Sequence, residues 1–152
     1  MERKLAEQIN KLDSIFGSVS VIYDEELLSH YAKYLCILTS GLIENSLKII
    51  LNDYSSKASA PNIANYLNNQ FKNITNLKDS KIQSILGCFS QEWKEEYLSK
   101  ISSEQKDALD SLVTNRNQIA HGHNVGITYV RVKEYYKQIK DVIYLLKEII
   151  CK

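Results

Sequence analysis

Apolar residues recur at three- and four-residue spacing along most of this chain, and no run of four or more residues alternates convincingly. The pattern therefore predicts helices and no strands. Leu5, Ile9, Leu12 and Phe16 mark a first helix over Glu2–Phe16, with Gly17 as its stop. Asp24 is placed to cap a long second helix running to about Tyr54. Its stripe, Leu28, Tyr31, Leu35, Leu38, Leu42, Asn45 and Ile49, is nearly a heptad. Gly41 sits inside it, where glycine costs stability and often permits another backbone to approach closely. Ser55–Ala60 reads as a loop, and Pro61 opens a short helix carrying Ile63, Tyr66, Leu67 and Phe71. After a polar turn, Asn73–Leu77, a helix over about Lys78–Leu86 ends at Gly87. Another, Gln91–Lys100, starts from Ser90 and carries Trp93, Tyr97 and Leu98.

Ser102 and Gln105 fit a capping box that opens a helix from Ser103 to His121, with Gly122 as the residue that ends it. A loop over Gly122–Ile127 follows, and Thr128 caps a final helix to about Ile150. That helix has the strongest stripe of all: Val132, Tyr135, Tyr136, Ile139, Val142, Ile143, Leu146, Ile149 and Ile150. The expected fold is all-α. It is a single domain over residues 1–152, a bundle of about four main helices with short helices in the Ser55–Ile101 connection.

One position breaks the pattern. With Leu109 at zero on a wheel of about 100° per residue, Leu112, Val113, Ile119 and Ala120 fall within about 80° of it. Arg116 falls about 20° from the centre of that stripe. Packing asks for leucine there, and the sequence supplies a permanent cation. Asn117 and His121, an i, i+4 pair, lie on the stripe's shoulder. A local conflict of this kind is where function is expected.

Composition narrows the field. One proline and five glycines in 152 residues suit long uninterrupted helices. Lys and Arg number 19 against 18 acids, so bulk charge gives no sign of a nucleic-acid binder and any basic footprint must be local. Cys36, Cys88 and Cys151 are far apart, odd in number and without a C-x-x-C, which suits a reducing compartment. Cys36 and Cys88 are expected as small core residues. The segment Met1–Leu12 is charged and amphipathic rather than a signal peptide. The longest mostly apolar run, Tyr34–Ile43, is about half of a membrane span. A soluble cytoplasmic protein is expected.

Two kinds of role fit Arg116 and His121. A buried arginine can pair with a carboxylate such as Glu44 and tie two helices together. A histidine beside a C-terminal glycine can simply complement the helix dipole. Alternatively, phosphodiester transfer without a metal needs a proton carrier near the 2′-hydroxyl and fixed positive charge on the phosphate. Histidine and arginine are the residue types for those tasks. Asn117 can fix the imidazole or bind a phosphate oxygen. One motif holds one such histidine, and a two-fold dimer would supply two.

The run Val113-Thr114-Asn115-Arg116-Asn117-Gln118-Ile119-Ala120-His121-Gly122 resembles the R-x4-6-H signature of HEPN domains in its R-N-x-x-x-H form. Ser40-Gly41-Leu42-Ile43-Glu44 resembles the family's acidic-residue helix. The block from Ala60-Pro61-Asn62-Ile63 through Phe89 and Trp93, then Leu109-Asp110, resembles the RiboL-PSP-HEPN subgroup. The resemblance covers about Leu27–Leu146. It implies a helical bundle that dimerises through the motif helices. It also implies a cofactor-free, metal-independent endoribonuclease acting on single-stranded RNA, usually tRNA or mRNA. Many relatives serve toxin–antitoxin or phage-defence systems, where an antitoxin or regulatory protein is a partner. Some are inactive and act as interaction modules. By this resemblance Arg116 and His121 are the catalytic pair, Asn117 the polar helper and Glu44 the supporting acid. In one subgroup a Tyr two residues after the histidine is modified by a partner. That position is His123 here, so that control is not expected.

Other residues carry weaker signals. Asp110 lies on the helical line of Asn117 and His121 but about 16 Å before His121, so it is expected to solvate its helix. His121 and His123 lack a third ligand at metal-site spacing. His30 reads as a surface residue. Arg131, Lys133, Lys137, Lys140 and Lys147 could guide a phosphate backbone or form a solvated face. The spacing of Tyr135 and Tyr136 places them in the core rather than on a stacking surface.

Overall fold

The computed structural model describes residues 1–152 as seven helices and no strand. They are α1 (Glu2–Val19), α2 (Glu25–Ala58), α3 (Pro61–Phe71), α4 (Asp79–Phe89), α5 (Gln91–Lys100), α6 (Ser103–Ala120) and α7 (Tyr129–Ile150). The long α2 is the central post. It packs against α1, α3, α6 and α7, while α6 and α7 also pack on each other. Helices α4 and α5 form a pair that rests on α6 and α7. The expected bundle of four main helices with short helices between α2 and α6 is what forms.

The nine apolar positions of α7 are all buried, as its stripe predicts. Leu5, Ile9, Leu12 and Phe16 bury the matching face of α1. Tyr136 stacks on Phe16 with ring centroids 4.5 Å apart and donates its hydroxyl to Asp13 Oδ1 at 2.7 Å. Both Tyr135 and Tyr136 are core residues.

Helix boundaries depart from the pattern where a weak breaker is overruled. Gly17 lies inside α1, which continues to a buried Val19. A lone glycine costs a helix only about 1 kcal/mol, and burial of Val19 offsets that. Ser55–Ala60 is not a loop, since α2 runs on to Ala58. The hydroxyls of Ser55, Ser56 and Ser59 donate to the carbonyls of Leu51, Asn52 and Ser55, so these serines bond back along the helix instead of opening it. Gly87 lies inside α4 rather than ending it. A Cβ there would meet Lys94 Cδ at 3.2 Å, so its reason is the close approach of α5.

The heptad expected on α2 is displaced. Leu35 and Leu42 are buried, but Tyr31 and Asn45 are exposed and Leu28, Leu38 and Ile49 half-buried. The buried face instead includes Ala32, Cys36, Thr39, Ser40, Ile43, Ser46, Leu47, Ile50 and Leu51. A helix with neighbours on several sides buries more than one stripe, and its small residues let those neighbours come close. Gly41 admits no close backbone: a Cβ built on it meets nothing within 4 Å. An 18-residue window of α2 has mean hydropathy 1.4, enough by length and composition for a membrane span, and 61% of that window is buried by the bundle.

Three smaller expectations fail. Cys88 is exposed, leaving Cys36 as the core thiol. Ile63 and Tyr66 are exposed, so α3 docks through Phe71 and the half-buried Leu67. Ala120 is exposed and Ile119 half-buried, because the last turn of α6 projects beyond the packed part of the bundle.

Candidate functional site

Both ends of α6 are fixed by local chemistry. At its start the Ser102 hydroxyl accepts from the Gln105 N–H at 3.1 Å, and the Gln105 side chain accepts from the Ser102 N–H at 3.0 Å. This is the capping box the spacing predicts. At its end Gly122 takes φ +72°, a left-handed conformation that glycine adopts without a Cβ penalty. The Gly122 N–H donates to the Ile119 carbonyl at 3.1 Å and the His123 N–H to the Gln118 carbonyl at 2.9 Å. That pair of bonds is a Schellman stop. It sets where the helix releases His121 and turns the chain away.

Arg116 lies where α6 meets α2 and the α3–α4 turn. Its Nη1 donates to Glu44 Oε1 at 3.2 Å and to Asn76 Oδ1 at 3.0 Å. The Asn76 backbone N–H donates to the same Glu44 oxygen at 2.7 Å. Glu44 is only 8% exposed in its side chain, against 30% for Arg116. A buried carboxylate is thus neutralised by a half-buried guanidinium and further held by a backbone donor. Glu44 and Asn76 both engage Nη1, which leaves the rest of the planar fork uncommitted. The pairing of Glu44 with Arg116 is the geometry the sequence expects of that acid.

Asn76 was not legible as part of this site. It belongs to a turn that reads as a plain polar connection, yet its φ of +53° is left-handed, a region asparagine tolerates better than most residues. The available signal was an asparagine set between Ile74 and Leu77, both of which turn out to be buried and pin the turn against the core.

Asn117 and His121 sit on the exposed last turn of α6. No hydrogen bond joins either of them to Arg116. The His121 and His123 rings lie 6.3 Å apart, and no group of three or more His, Cys, Asp or Glu side chains converges as metal ligands would. His30 is exposed. Asp110 does more than solvate its helix. Its Oδ1 accepts from the Asp79 N–H at 2.9 Å, so it caps α4 from outside, and Asp79 in turn accepts from the Tyr97 hydroxyl at 2.8 Å. Burial, with Asp79 beside it, raises the Tyr97 phenol well above its ordinary range. These bonds secure the connection that carries Asn76.

Cys36 lies beneath the site, with Sγ 3.9 Å from the Leu112 carbonyl. Burial pushes its thiol up to about 12, and Arg116 opposes part of that rise. Most α7 cations are already engaged. Arg131 meets Asp107 at 3.6 Å and the Tyr135 hydroxyl at 3.0 Å, Lys140 meets Asp13 at 3.0 Å, and Lys147 meets Glu2 at 2.5 Å. Lys133 and Lys137 make no ion pair, so three of the five cations on this helix are held by acids.

The family comparison agrees with this arrangement. A family model described as RiboL-PSP-HEPN matches residues 2–152. No curated protein and no solved structure matches the chain. The match takes in all seven helices, including α1 and the end of α7, which lie outside the stretch whose motifs first carried the likeness. With a helical bundle, an R-N-x-x-x-H segment closing a capped helix and an acid from the central helix on its arginine, this chain belongs to the RiboL-PSP-HEPN family.

Proposed function

We propose that this protein is a metal-independent endoribonuclease that cuts single-stranded RNA, tRNA or mRNA, by attack of the ribose 2′-oxygen. Its family is associated with ribonuclease and RNA-binding functions. The observation that carries the reading is the state of Arg116: held through Nη1 by Glu44 and Asn76, 30% exposed, with Nε and Nη2 making no hydrogen bond within the protein.

In this mechanism His121 removes the 2′-hydroxyl proton, the 2′-oxygen bonds to phosphorus, and the bond to the 5′-oxygen breaks. A protonated histidine returns a proton to that oxygen. The products are a 2′,3′-cyclic phosphate and a 5′-hydroxyl end. Arg116 stabilises the charge that builds on the phosphoryl oxygens, and Asn117 binds a phosphate oxygen or orients the imidazole. Glu44 and Asn76 position Arg116. Each motif holds one histidine, and a homodimer through the motif helices would bring two of them, as base and acid, around a shared cleft. A toxin–antitoxin or phage-defence role in the cytoplasm suits such an activity, with an antitoxin or regulatory protein as partner.

A second reading has one observation in its favour: the Arg116–Glu44 pair ties α6 to α2 and would serve an inactive module that binds or regulates another protein. Incubating the purified protein with end-labelled RNA in excess EDTA separates the two. Cleavage that disappears in Arg116→Lys and His121→Ala supports the enzyme. Intact RNA under all conditions supports the module.

A further inference from the structure

A cleft of about 430 Å³ opens between α1 and α2, and Arg116 lines one side of it. Leu12, Leu38 and Leu42 give it an apolar wall, Gln8 and Asn45 contribute amides, and Lys11 adds a second cation. No carboxylate lines it. Two other clefts, by contrast, carry Glu104, Asp107 and Glu134, or Asp13 and Glu134. The size falls within the roughly 300–1,000 Å³ range of small-molecule sites.

Two further features are unexplained by packing alone. Gly41 lies on the cleft wall in the interior of α2, where glycine costs helix stability. A Cβ there would meet nothing within 4 Å, so no neighbour requires the glycine; what its missing side chain provides is open cleft. The Gln8 carbonyl oxygen is buried and accepts no hydrogen bond. Gln8 lines the cleft, and a bound donor there would give that side-chain oxygen the partner it lacks.

We propose that this cleft seats the base of the RNA nucleotide whose phosphate Arg116 grips, an assignment that rests on the ribonuclease reading above. Apolar walls suit the faces of a base, the two amides suit its polar edge, and Lys11 together with the groups of Arg116 not bonded to Glu44 suits the phosphate attached to it. Gly41 keeps the seat open at the expense of the helix that carries it.

The test is Gly41→Leu, with Asn45→Ala as a second variant at an exposed position. Melting temperature, sedimentation, cleavage of labelled RNA and affinity for a 2′-O-methyl oligoribonucleotide, which lacks the attacking hydroxyl, are measured for each. Filling the cleft should raise the melting temperature yet weaken oligonucleotide binding about ten-fold or more, the scale of losing one stacked base, and raise KM in step. Asn45→Ala should leave the fold intact and weaken binding while blunting preference among the four bases. If the wild type neither binds nor cuts RNA, both this assignment and the ribonuclease reading fall. If the wild type cuts and both variants bind like it, the base seat alone is wrong. If Gly41→Leu instead turns a dimer into a monomer, a second copy occupies the cleft and the assignment is overturned.

Discussion

Arg116 was conspicuous because helical periodicity put a cation where a leucine belonged, and the structure gives the physical reason it can stay there. Glu44, buried on α2, accepts its hydrogen bond, and Asn76 accepts another. Removing the arginine would strand that carboxylate, so Arg116→Ala should lose both activity and about 1–2 kcal/mol of stability, less than a fully buried pair because Arg116 is 30% exposed. Arg116→Lys is the sharper variant. It keeps the charge beside Glu44 and should hold the melting temperature near wild type, while loss of the planar fork cuts the cleavage rate by about 10²-fold or more. Wild-type cleavage by the lysine variant would mean that the fork is not used. His121→Ala, on an exposed turn, should abolish cleavage with no loss of fold. Combined with Arg116→Lys it should be little worse than alone, since groups acting as a unit are not additive. Asn76 extends the same logic. Asn76→Gly preserves the left-handed turn and the backbone bond to Glu44 but frees Arg116 from its second acceptor. It should lower kcat more than it raises KM, which a purely structural loss would not do.

The thiol beneath the site supplies a pH test. Burial holds the Cys36 thiol neutral up to about 12, against an ordinary value of 9 in the unfolded chain. Its contribution to stability is therefore complete below pH 9 and is lost as pH rises from 9 toward 12, because only the unfolded state then releases the proton. Urea unfolding across that window should show a steeper loss for wild type than for Cys36→Ala. In the native protein, Cys88 should react with a thiol reagent and Cys36 should not.

At the scale of elements, strong periodicity and explicit caps were readable, and weak breakers were not. The α7 stripe, the Ser102–Gln105 box, the Asp24, Ser90 and Thr128 caps and the Gly122 stop all appear where the residues place them. Gly17, Gly87 and the serines after Tyr54 look like punctuation in one dimension, but each is overruled by a contact made in three: Val19 burial, Lys94 packing, and hydroxyls bonding to carbonyls one turn back. The α2 face was misread for the same reason, since a central helix answers to several neighbours. Of the site, the pairing of Arg116 with Glu44 could be read in advance, while Asn117 and His121 lie apart from it on exposed positions at the end of α6. Asn76 could not be read in advance, because its role depends on a turn landing against a helix thirty-two residues earlier in the chain. The caps predict measurable effects. Ser102→Ala should cost about 1 kcal/mol, a fall of roughly 2–4 °C in melting temperature for a chain of this size. Gly122→Ala, forced into the left-handed region, should cost a similar amount and also disturb cleavage by shifting the turn that presents His121. A Gly122→Ala protein with unaltered stability and rate would show that the helix end can be rebuilt without consequence.

For the whole molecule, each chain carries one R-N-x-x-x-H motif, with His121 and Asn117 exposed where α6 ends. A two-fold assembly of those ends is the simplest way to complete an acid–base pair. Sedimentation at micromolar concentration should therefore show a dimer, and cleavage by a mixture of Arg116→Lys and His121→Ala chains should recover in part if the two sites share residues across the interface. Full-rate cleavage by a stable monomer would contradict the shared site. The most direct test of the central claim is the chemistry of the product ends after cleavage in excess EDTA. The account predicts a 2′,3′-cyclic phosphate on one fragment and a 5′-hydroxyl on the other, with neither formed by His121→Ala. A 5′-phosphate with a 3′-hydroxyl, or cleavage that returns only when a divalent metal is added, would contradict it.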